Sequence, residues 1–118
     1  MPLVFVYGTL KRGGENHRAL AGQRFIGEAR TEARFRLHLL DGYPGMVAAP
    51  VDGLSIEGEV WEVDGPGLER LDELEGTGMG LYARVPLRLL PPHGGLEVET
   101  YLYRQGVEGR PDLGTRFD

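Results

Sequence analysis

Hydrophobic and polar residues alternate along much of the chain, which is typical of β-strands that pack one face against a core. One early stretch, residues 3–7, is instead apolar throughout and predicts a strand buried on both faces. The loop that turns the chain between the last two alternating stretches, residues 91–95, contains two prolines and two glycines and predicts a hairpin connection. The predicted strands are residues 3–7, 34–39, 46–49, 55–63, 83–89 and 96–103.

Helical signals occur in two places. Asp64 followed by Pro66 predicts a helix start, because Asp caps the first turn and Pro is tolerated within it. The helix should cover residues 67–75 and end at Gly76, a common terminating residue. A second helical segment of about two turns is predicted over residues 15–21.

Many strands with two short helices predict a small α+β protein whose sheet curls toward a barrel. The 118 residues are close to the usual size of one compact domain, so we expect residues 1–118 to form a single domain. The chain contains no internal repeat, linker or low-complexity block that would divide it.

The amino-acid composition limits the kinds of catalysis and metal binding that the chain can support. The chain has no Cys, one Ser, one Lys and three His, although Gly reaches 19 of 118 residues. Thiol nucleophiles, thiolate metal sites and disulfides are therefore excluded, and serine hydrolase or Schiff-base chemistry is disfavoured. The three His lack metal-ligand spacing, so no metal site is predicted. An enzyme of this composition should depend on a nucleophile that the protein does not supply.

The net charge and the distribution of apolar residues limit which partners and which location are expected. A net charge of −5 disfavours binding to nucleic acid, which requires clustered positive charge. No run of 18 apolar residues and no signal-peptide pattern is present, so no membrane association is expected and a cytoplasmic location is the default. The sequence leaves the oligomeric state open.

One carboxylate breaks the helical pattern. On a helical wheel Leu68, Leu71 and Leu74 form an apolar stripe, and Glu75 falls between Leu68 and Leu71. Partial burial, neighbouring acids and the negative end of the helix dipole should raise its pKa, which suits a residue that both accepts and releases a proton. The alternative is that the helix frays before Gly76 and Glu75 turns into solvent.

The loop after the first strand is the second candidate. Gly8 and Thr9, with Gly13 and Gly14 beyond them, leave backbone N–H groups that can converge on an anion. A plain strand-to-helix connection would show the same residues. The phosphate-binding P-loop pattern is absent.

Together these segments resemble the γ-glutamylcyclotransferase-like superfamily. The resemblance lies in Tyr7-Gly8-Thr9-Leu10 after the first strand and in Leu71-Asp72-x-x-Glu75-Gly76 followed by Tyr82. The continuation Lys11-Arg12-Gly13 with Asn16-His17 is most similar to the γ-glutamylamine cyclotransferase and AIG2-like branch, and Tyr43-Pro44-Gly45 matches a further segment. The matched segments extend from Val4 to about Tyr103.

The resemblance implies a fold with a small, mixed, β-barrel-like sheet and a cavity at the loop, and release of 5-oxoproline from a small-molecule γ-glutamyl compound. It implies Glu75 as the general base and acid, with Tyr7, Gly8, Thr9 and Leu10 holding the glutamyl group and Tyr82 supporting it. It implies no metal or cofactor.

Two departures from the family pattern concern the leaving group. Gly14-Glu15 stands where the γ-glutamylamine branch often has Gln-Pro, and the tail lacks a Trp-containing ending. The sequence therefore leaves the substrate open among γ-glutamyl compounds. A non-catalytic domain of the same fold that binds a small metabolite is the alternative, and Glu75 in its motif favours the enzyme.

Overall fold

Eight strands, one α-helix and two 3-10 turns make up the computed structural model, which describes all 118 residues. The 3-10 turns cover His17–Leu20 and Thr77–Met79. The remaining elements are β1 (Leu3–Val6), β2 (Arg24–Arg30), β3 (Phe35–Leu39), β4 (Pro44–Ala48), β5 (Glu57–Glu62), α1 (Gly65–Leu74), β6 (Tyr82–Leu87), β7 (Val98–Tyr103) and β8 (Asp112–Gly114).

The strands form two sheets. A five-stranded sheet has the order β2-β5-β1-β7-β6, and a three-stranded sheet has the order β4-β3-β8. In the larger sheet β1 runs antiparallel to β5 and parallel to β7, so the sheet is mixed. The predicted α+β class with a mixed sheet is thus confirmed, although the strands do not close into one barrel.

The central strand β1 is covered on both faces, as its apolar run predicts. Val4 and Val6 belong to a core cluster that includes residues of α1, and Phe5 and Tyr7 belong to a second cluster that includes residues of β3 and β4. All four side chains are buried. The molecule therefore has α1 on one face of the large sheet and the small sheet on the other. The C-terminal end of β1 lies between these two layers.

The two predicted helices differ in outcome. Helix α1 is present, and the side chain of Asp64 accepts a 2.7 Å hydrogen bond from the amide of Gly67. It ends before Gly76, whose φ of 66° is left-handed and favours glycine. The prediction for residues 15–21 is wrong in extent, because only one 3-10 turn forms there. No helix is both long enough and apolar enough to cross a membrane.

Two strands have no counterpart in the predictions. Strand β2 carries a register shift between Phe25 and Gly27 in its pairing with β5, and a bulge of this kind interrupts the alternation of side chains between the two faces. Strand β8 has only three residues, too few for a period of two to be recognised.

Candidate active site

A cavity of about 470 Å³ lies where the end of β1, the start of β4 and the end of α1 meet. Seventeen residues line it, and nine of them are hydrophobic, which is the usual composition of a small-molecule site. The six residues named from the sequence all lie in this one cavity: Tyr7, Gly8, Thr9, Leu10, Glu75 and Tyr82. They come from two segments about 65 residues apart, which the fold brings together.

The backbone of residues 7–10, here called the amide loop, presents free donors. None of its four N–H groups donates a hydrogen bond within the chain. Three of its carbonyl oxygens have partners: that of Gly8 accepts from the amide of Lys11 at 3.1 Å, that of Thr9 accepts from the amide of Asn16 at 2.9 Å, and that of Leu10 lies 2.9 Å from Nδ1 of His17. The loop therefore offers N–H groups to a ligand, and successive N–H groups of this kind bind anions.

Close packing requires glycine at positions 8 and 14. A Cβ on Gly8 would lie 2.6 Å from Cγ of Pro44. A Cβ on Gly14 would collide with the carbonyl oxygen of Thr9. The amide loop is thus pressed against the start of β4 on one side and against the following turn on the other, which fixes its position.

Glu75 occupies the C-terminal cap of α1 and is half-buried. Its amide bonds to the carbonyl of Leu71 at 2.9 Å, so the helix continues to this residue and does not fray before it. Its carboxylate makes no hydrogen bond to the protein. Burial raises the pKa of Glu75 to about 7, so that both protonation states are accessible near neutrality.

Two tyrosines of the cavity wall, Tyr7 and Tyr82, are fixed by hydrogen bonds to the backbone. Tyr7 donates its hydroxyl to the carbonyl of Tyr101 at 2.6 Å and accepts from the amide of Met46 at 3.2 Å. Tyr82 donates to the carbonyl of Pro44 at 2.8 Å. Burial, with a smaller contribution from the charge of Glu75, raises the pKa of Tyr7 and of Tyr82, which therefore remain neutral phenols near pH 7.

A charged cluster beneath the cavity was not identified from the sequence. Asp72 accepts hydrogen bonds from Arg84 at 3.0 Å and from the hydroxyl of Tyr101 at 2.7 Å, and Arg84 also bonds Glu99 at 2.7 Å. The cluster ties the last turn of α1 to β6 and β7. Asp72 stands three residues before Glu75 in the motif, but the partners on two other strands carry no local sequence signal.

The charged side chains that line the cavity are all acidic: Glu15, Asp41 and Glu75. An anionic group on a ligand would therefore have to depend on the backbone donors of the amide loop. Three or more His, Asp or Glu side chains do not come together anywhere in an arrangement suited to a metal ion.

A second cavity of about 600 Å³ is lined in part by Lys11 and Arg12, the two residues that follow the amide loop. Only two of its 13 lining residues are hydrophobic. It contains neither Glu75 nor the amide loop. We therefore take the smaller, more apolar cavity as the candidate active site, because it combines free donors with a carboxyl group of raised pKa.

The fold is that of a small α+β domain, and its more apolar cavity is lined by a half-buried acid and by the amide loop. Residues 4–116 match the family described as "Gamma-glutamyl cyclotransferase, AIG2-like", and the chain belongs to this family. The Gamma-glutamylaminecyclotransferase of Homo sapiens is 42% identical over 99 residues, which cover 75% of this chain and 62% of the human protein. The Gamma-L-glutamyl-butirosin B gamma-glutamyl cyclotransferase of Niallia circulans is 32% identical over 123 residues, covering 99% of this chain and 74% of that protein.

A solved structure supports the same assignment. An AIG2-like protein from Mus musculus superimposes with a TM-score of 0.81 at 29% identity, covering 100% of this chain and 88% of that one. The chain spans only half the length of other curated relatives, 50% for proteins from Drosophila melanogaster and Arabidopsis thaliana. The resemblance to the superfamily and to its AIG2-like branch is thereby confirmed.

Proposed function

We propose that this protein is a γ-glutamyl cyclotransferase that converts a γ-glutamyl compound into 5-oxoproline and a free amine or amino acid. The observation that carries the proposal is the half-buried Glu75, whose carboxylate has no protein partner and whose cavity also contains the free N–H groups of the amide loop. Family membership and the printed names of the human and Niallia circulans relatives support the same activity.

The substrate supplies the nucleophile in this reaction. Its α-amine attacks its own γ-carbonyl carbon, so a new C–N bond closes a five-membered ring and the C–N bond to the leaving amine breaks. One proton leaves the attacking nitrogen and one reaches the departing nitrogen, and no water is consumed. A protein with no Cys and a single Ser suits a reaction that requires no enzymic nucleophile.

Glu75 is the proposed carrier of that proton. In its ionised form the carboxylate accepts the proton from the α-amine, and the resulting carboxyl group donates it to the leaving nitrogen. A pKa of about 7 allows both steps near neutral pH. General acid–base catalysis of this kind contributes about 10²- to 10⁴-fold, or roughly 3–5 kcal/mol of barrier reduction.

The amide loop is the proposed site for the glutamyl group. Its N–H groups can bind the α-carboxylate or the oxyanion that develops on the γ-carbonyl. Tyr82, braced against Pro44, forms a wall of the same cavity and would support the bound group. Because the reaction is intramolecular, orientation alone can supply about 7–11 kcal/mol. No metal or cofactor takes part in these steps.

The test compares wild type with Glu75→Gln on a panel of γ-glutamyl amino acids and γ-glutamyl-ε-lysine, with 5-oxoproline as the measured product. We expect turnover by the wild type and a loss of at least about 10²-fold in the variant. Glu73→Gln removes an exposed carboxylate from the same helix and serves as the matched control.

Two results would contradict the proposal. Equal rates for wild type and Glu75→Gln would remove the role assigned to Glu75. Binding of γ-glutamyl compounds without turnover across the panel would instead favour the non-catalytic metabolite-binding domain.

A further inference from the structure

The amide loop is held in place from its far side. Two residues beyond its end, the backbone N–H of Arg12 donates to Oε1 of Glu59 at 3.0 Å, and Nε of Arg12 donates to Oε2 of the same carboxylate at 3.0 Å. Glu59 lies on β5, directly opposite Val6 of β1. One carboxylate therefore binds both the main chain and the side chain of Arg12, close behind the loop.

The carboxylate of Glu59 is almost fully buried, with 6% of the residue exposed. Such a group is costly to bury unless donors surround it. Nε1 of Trp61 supplies a third hydrogen bond at 3.1 Å. Burial alone would raise the pKa of Glu59, but the hydrogen bonds from Arg12 and Trp61 outweigh it and hold the pKa below the usual value. Glu59 therefore remains ionised and bound at neutral pH.

Trp61 connects the same carboxylate to the loop by a second route. Its ring packs edge-on against His17, with ring centroids 5.3 Å apart, and Nδ1 of His17 lies 2.9 Å from the carbonyl oxygen of Leu10. The amide loop is thus restrained at Leu10 through His17 and just beyond it at Arg12. Both restraints lead to Glu59, which itself does not line the candidate active site.

We propose that Glu59 is a positioning residue, which orients the N–H groups of the amide loop toward the glutamyl group by clamping Arg12 and, through Trp61 and His17, Leu10. The inference rests on the proposed function, because it assigns to the clamped loop the binding of that group. Without the clamp the loop N–H groups lose a fixed direction, and the orientation on which an intramolecular reaction depends is weakened.

Glu59→Gln is the decisive variant, because it preserves the volume of the side chain but replaces one carboxylate oxygen with an NH₂ group. That NH₂ group cannot accept a hydrogen bond, so at least one of the three bonds from Arg12 and Trp61 is lost. Glu28→Gln is the matched control: Glu28 also contacts Arg12, at 3.4 Å, but its side chain is 80% exposed and bonds only the guanidinium. We expect kcat/KM for a γ-glutamyl substrate to fall about 10- to 100-fold in Glu59→Gln. In Glu28→Gln it should stay within about twofold of wild type.

Limited trypsin digestion gives a readout that does not depend on activity. Trypsin cleaves after Lys11 and Arg12, and release of the clamp should raise the cleavage rate there about tenfold or more in Glu59→Gln but not in Glu28→Gln. Cleavage after the exposed Arg104 is the internal reference for general loss of stability. Both experiments are run well below the unfolding temperature of every variant.

Selective cleavage at Arg12 together with reduced kcat/KM supports the positioning role. The role is overturned if folded Glu59→Gln retains the kcat/KM of Glu28→Gln, or if cleavage at Arg12 increases no more than cleavage at Arg104. Absence of turnover in the wild type would contradict the proposed function, and the digestion would still decide whether Glu59 clamps the loop.

Discussion

The hydroxyl of Tyr101 donates a 2.7 Å hydrogen bond to Oδ1 of Asp72, three residues before Glu75 on the same helix. Arg84 approaches the same carboxylate with two nitrogens, at 3.0 and 3.3 Å. The last turn of α1 is thereby attached to two strands of the large sheet. The position of Glu75 in the cavity therefore depends on contacts made one turn earlier.

Removing the charge of Asp72 should loosen this end of the helix. We expect Asp72→Asn to lower the free energy of unfolding by about 1–3 kcal/mol, because hydrogen bonds from Arg84 and Tyr101 to a charged acceptor are weakened. Urea denaturation measures the change. Glu73→Gln, at an exposed position one residue further on, should change stability by less than about 0.5 kcal/mol. Equal losses in the two variants would contradict a specific bracing role.

Glu75 should reduce stability at high pH. Its folded pKa of about 7 exceeds the usual value of 4.5, so the unfolded chain loses this proton at lower pH than the folded one does. Stability attributable to Glu75 is therefore lost as the pH rises from about 4.5 to 7 and stays low above 7. The free energy of unfolding of Glu75→Gln relative to that of wild type should therefore increase by about 1–3 kcal/mol as the pH is raised from 4 to 8. The increase is smaller than the full pKa shift would give, because the side chain is only half-buried and solvent screens its charge.

Denaturation curves at pH 4, 6 and 8 check this expectation, with Glu73→Gln measured alongside to report the removal of an exposed charge. A constant difference between Glu75→Gln and wild type at all three pH values would mean that burial does not perturb this carboxyl group.

The carboxyl group of Glu75 should also determine how kcat/KM depends on pH. If ionised Glu75 accepts the proton of the α-amine, kcat/KM should rise about tenfold per pH unit below 7 and then level off near that pH. Initial rates of 5-oxoproline release between pH 5 and 8.5 provide the measurement. A profile that is flat through pH 7 would exclude Glu75 as the base, whereas a loss of this limb in Glu75→Gln would assign it.

Much of the site can be predicted because its residues lie in two short segments. The apolar run of β1 predicts the central buried strand, and the position of Glu75 on the helical wheel predicts a carboxyl group against apolar surroundings. The same helical wheel places Leu74 in the buried apolar stripe, but Leu74 is 47% exposed and lines the cavity. It is exposed because α1 ends at this residue. The family motif contains both segments and therefore predicts that they belong to one site.

The remainder depends on contacts between distant residues. Glu59 lies in a strand whose alternation is obscured because β5 is covered on both faces, and its partner Arg12 is 47 residues away. Tyr101 could equally be a packing residue, and only its contact with Asp72 distinguishes it. A single sequence carries no local record of such pairs, so sheet register and long-range hydrogen bonds have to come from the structure.

Gly8 should not tolerate a side chain. Gly8→Ala would place Cβ 2.6 Å from Cγ and 3.0 Å from Cδ of Pro44, and relief of this overlap requires the amide loop or β4 to move. We expect a loss of about 1–3 kcal/mol in unfolding free energy and a fall of about tenfold or more in kcat/KM. Gly106→Ala, where a Cβ meets nothing within 4 Å, is the control and should leave kcat/KM unchanged. Wild-type kinetics in Gly8→Ala would show that the loop position is not critical.

Tyr82 and Tyr103 offer a matched pair for separating hydrogen bonding from packing. Their rings meet edge-on with centroids 5.3 Å apart, but only Tyr82 lines the cavity and donates a hydrogen bond, to the carbonyl of Pro44 at 2.8 Å. Tyr82→Phe should lower the free energy of unfolding by about 1 kcal/mol and raise KM several-fold, since Pro44 also contacts the amide loop at Gly8. Tyr103→Phe keeps the ring contact and should leave KM unchanged. Because the two variants remove the same atom from adjacent rings, an equal effect on KM would contradict the supporting role proposed for the Tyr82 hydroxyl.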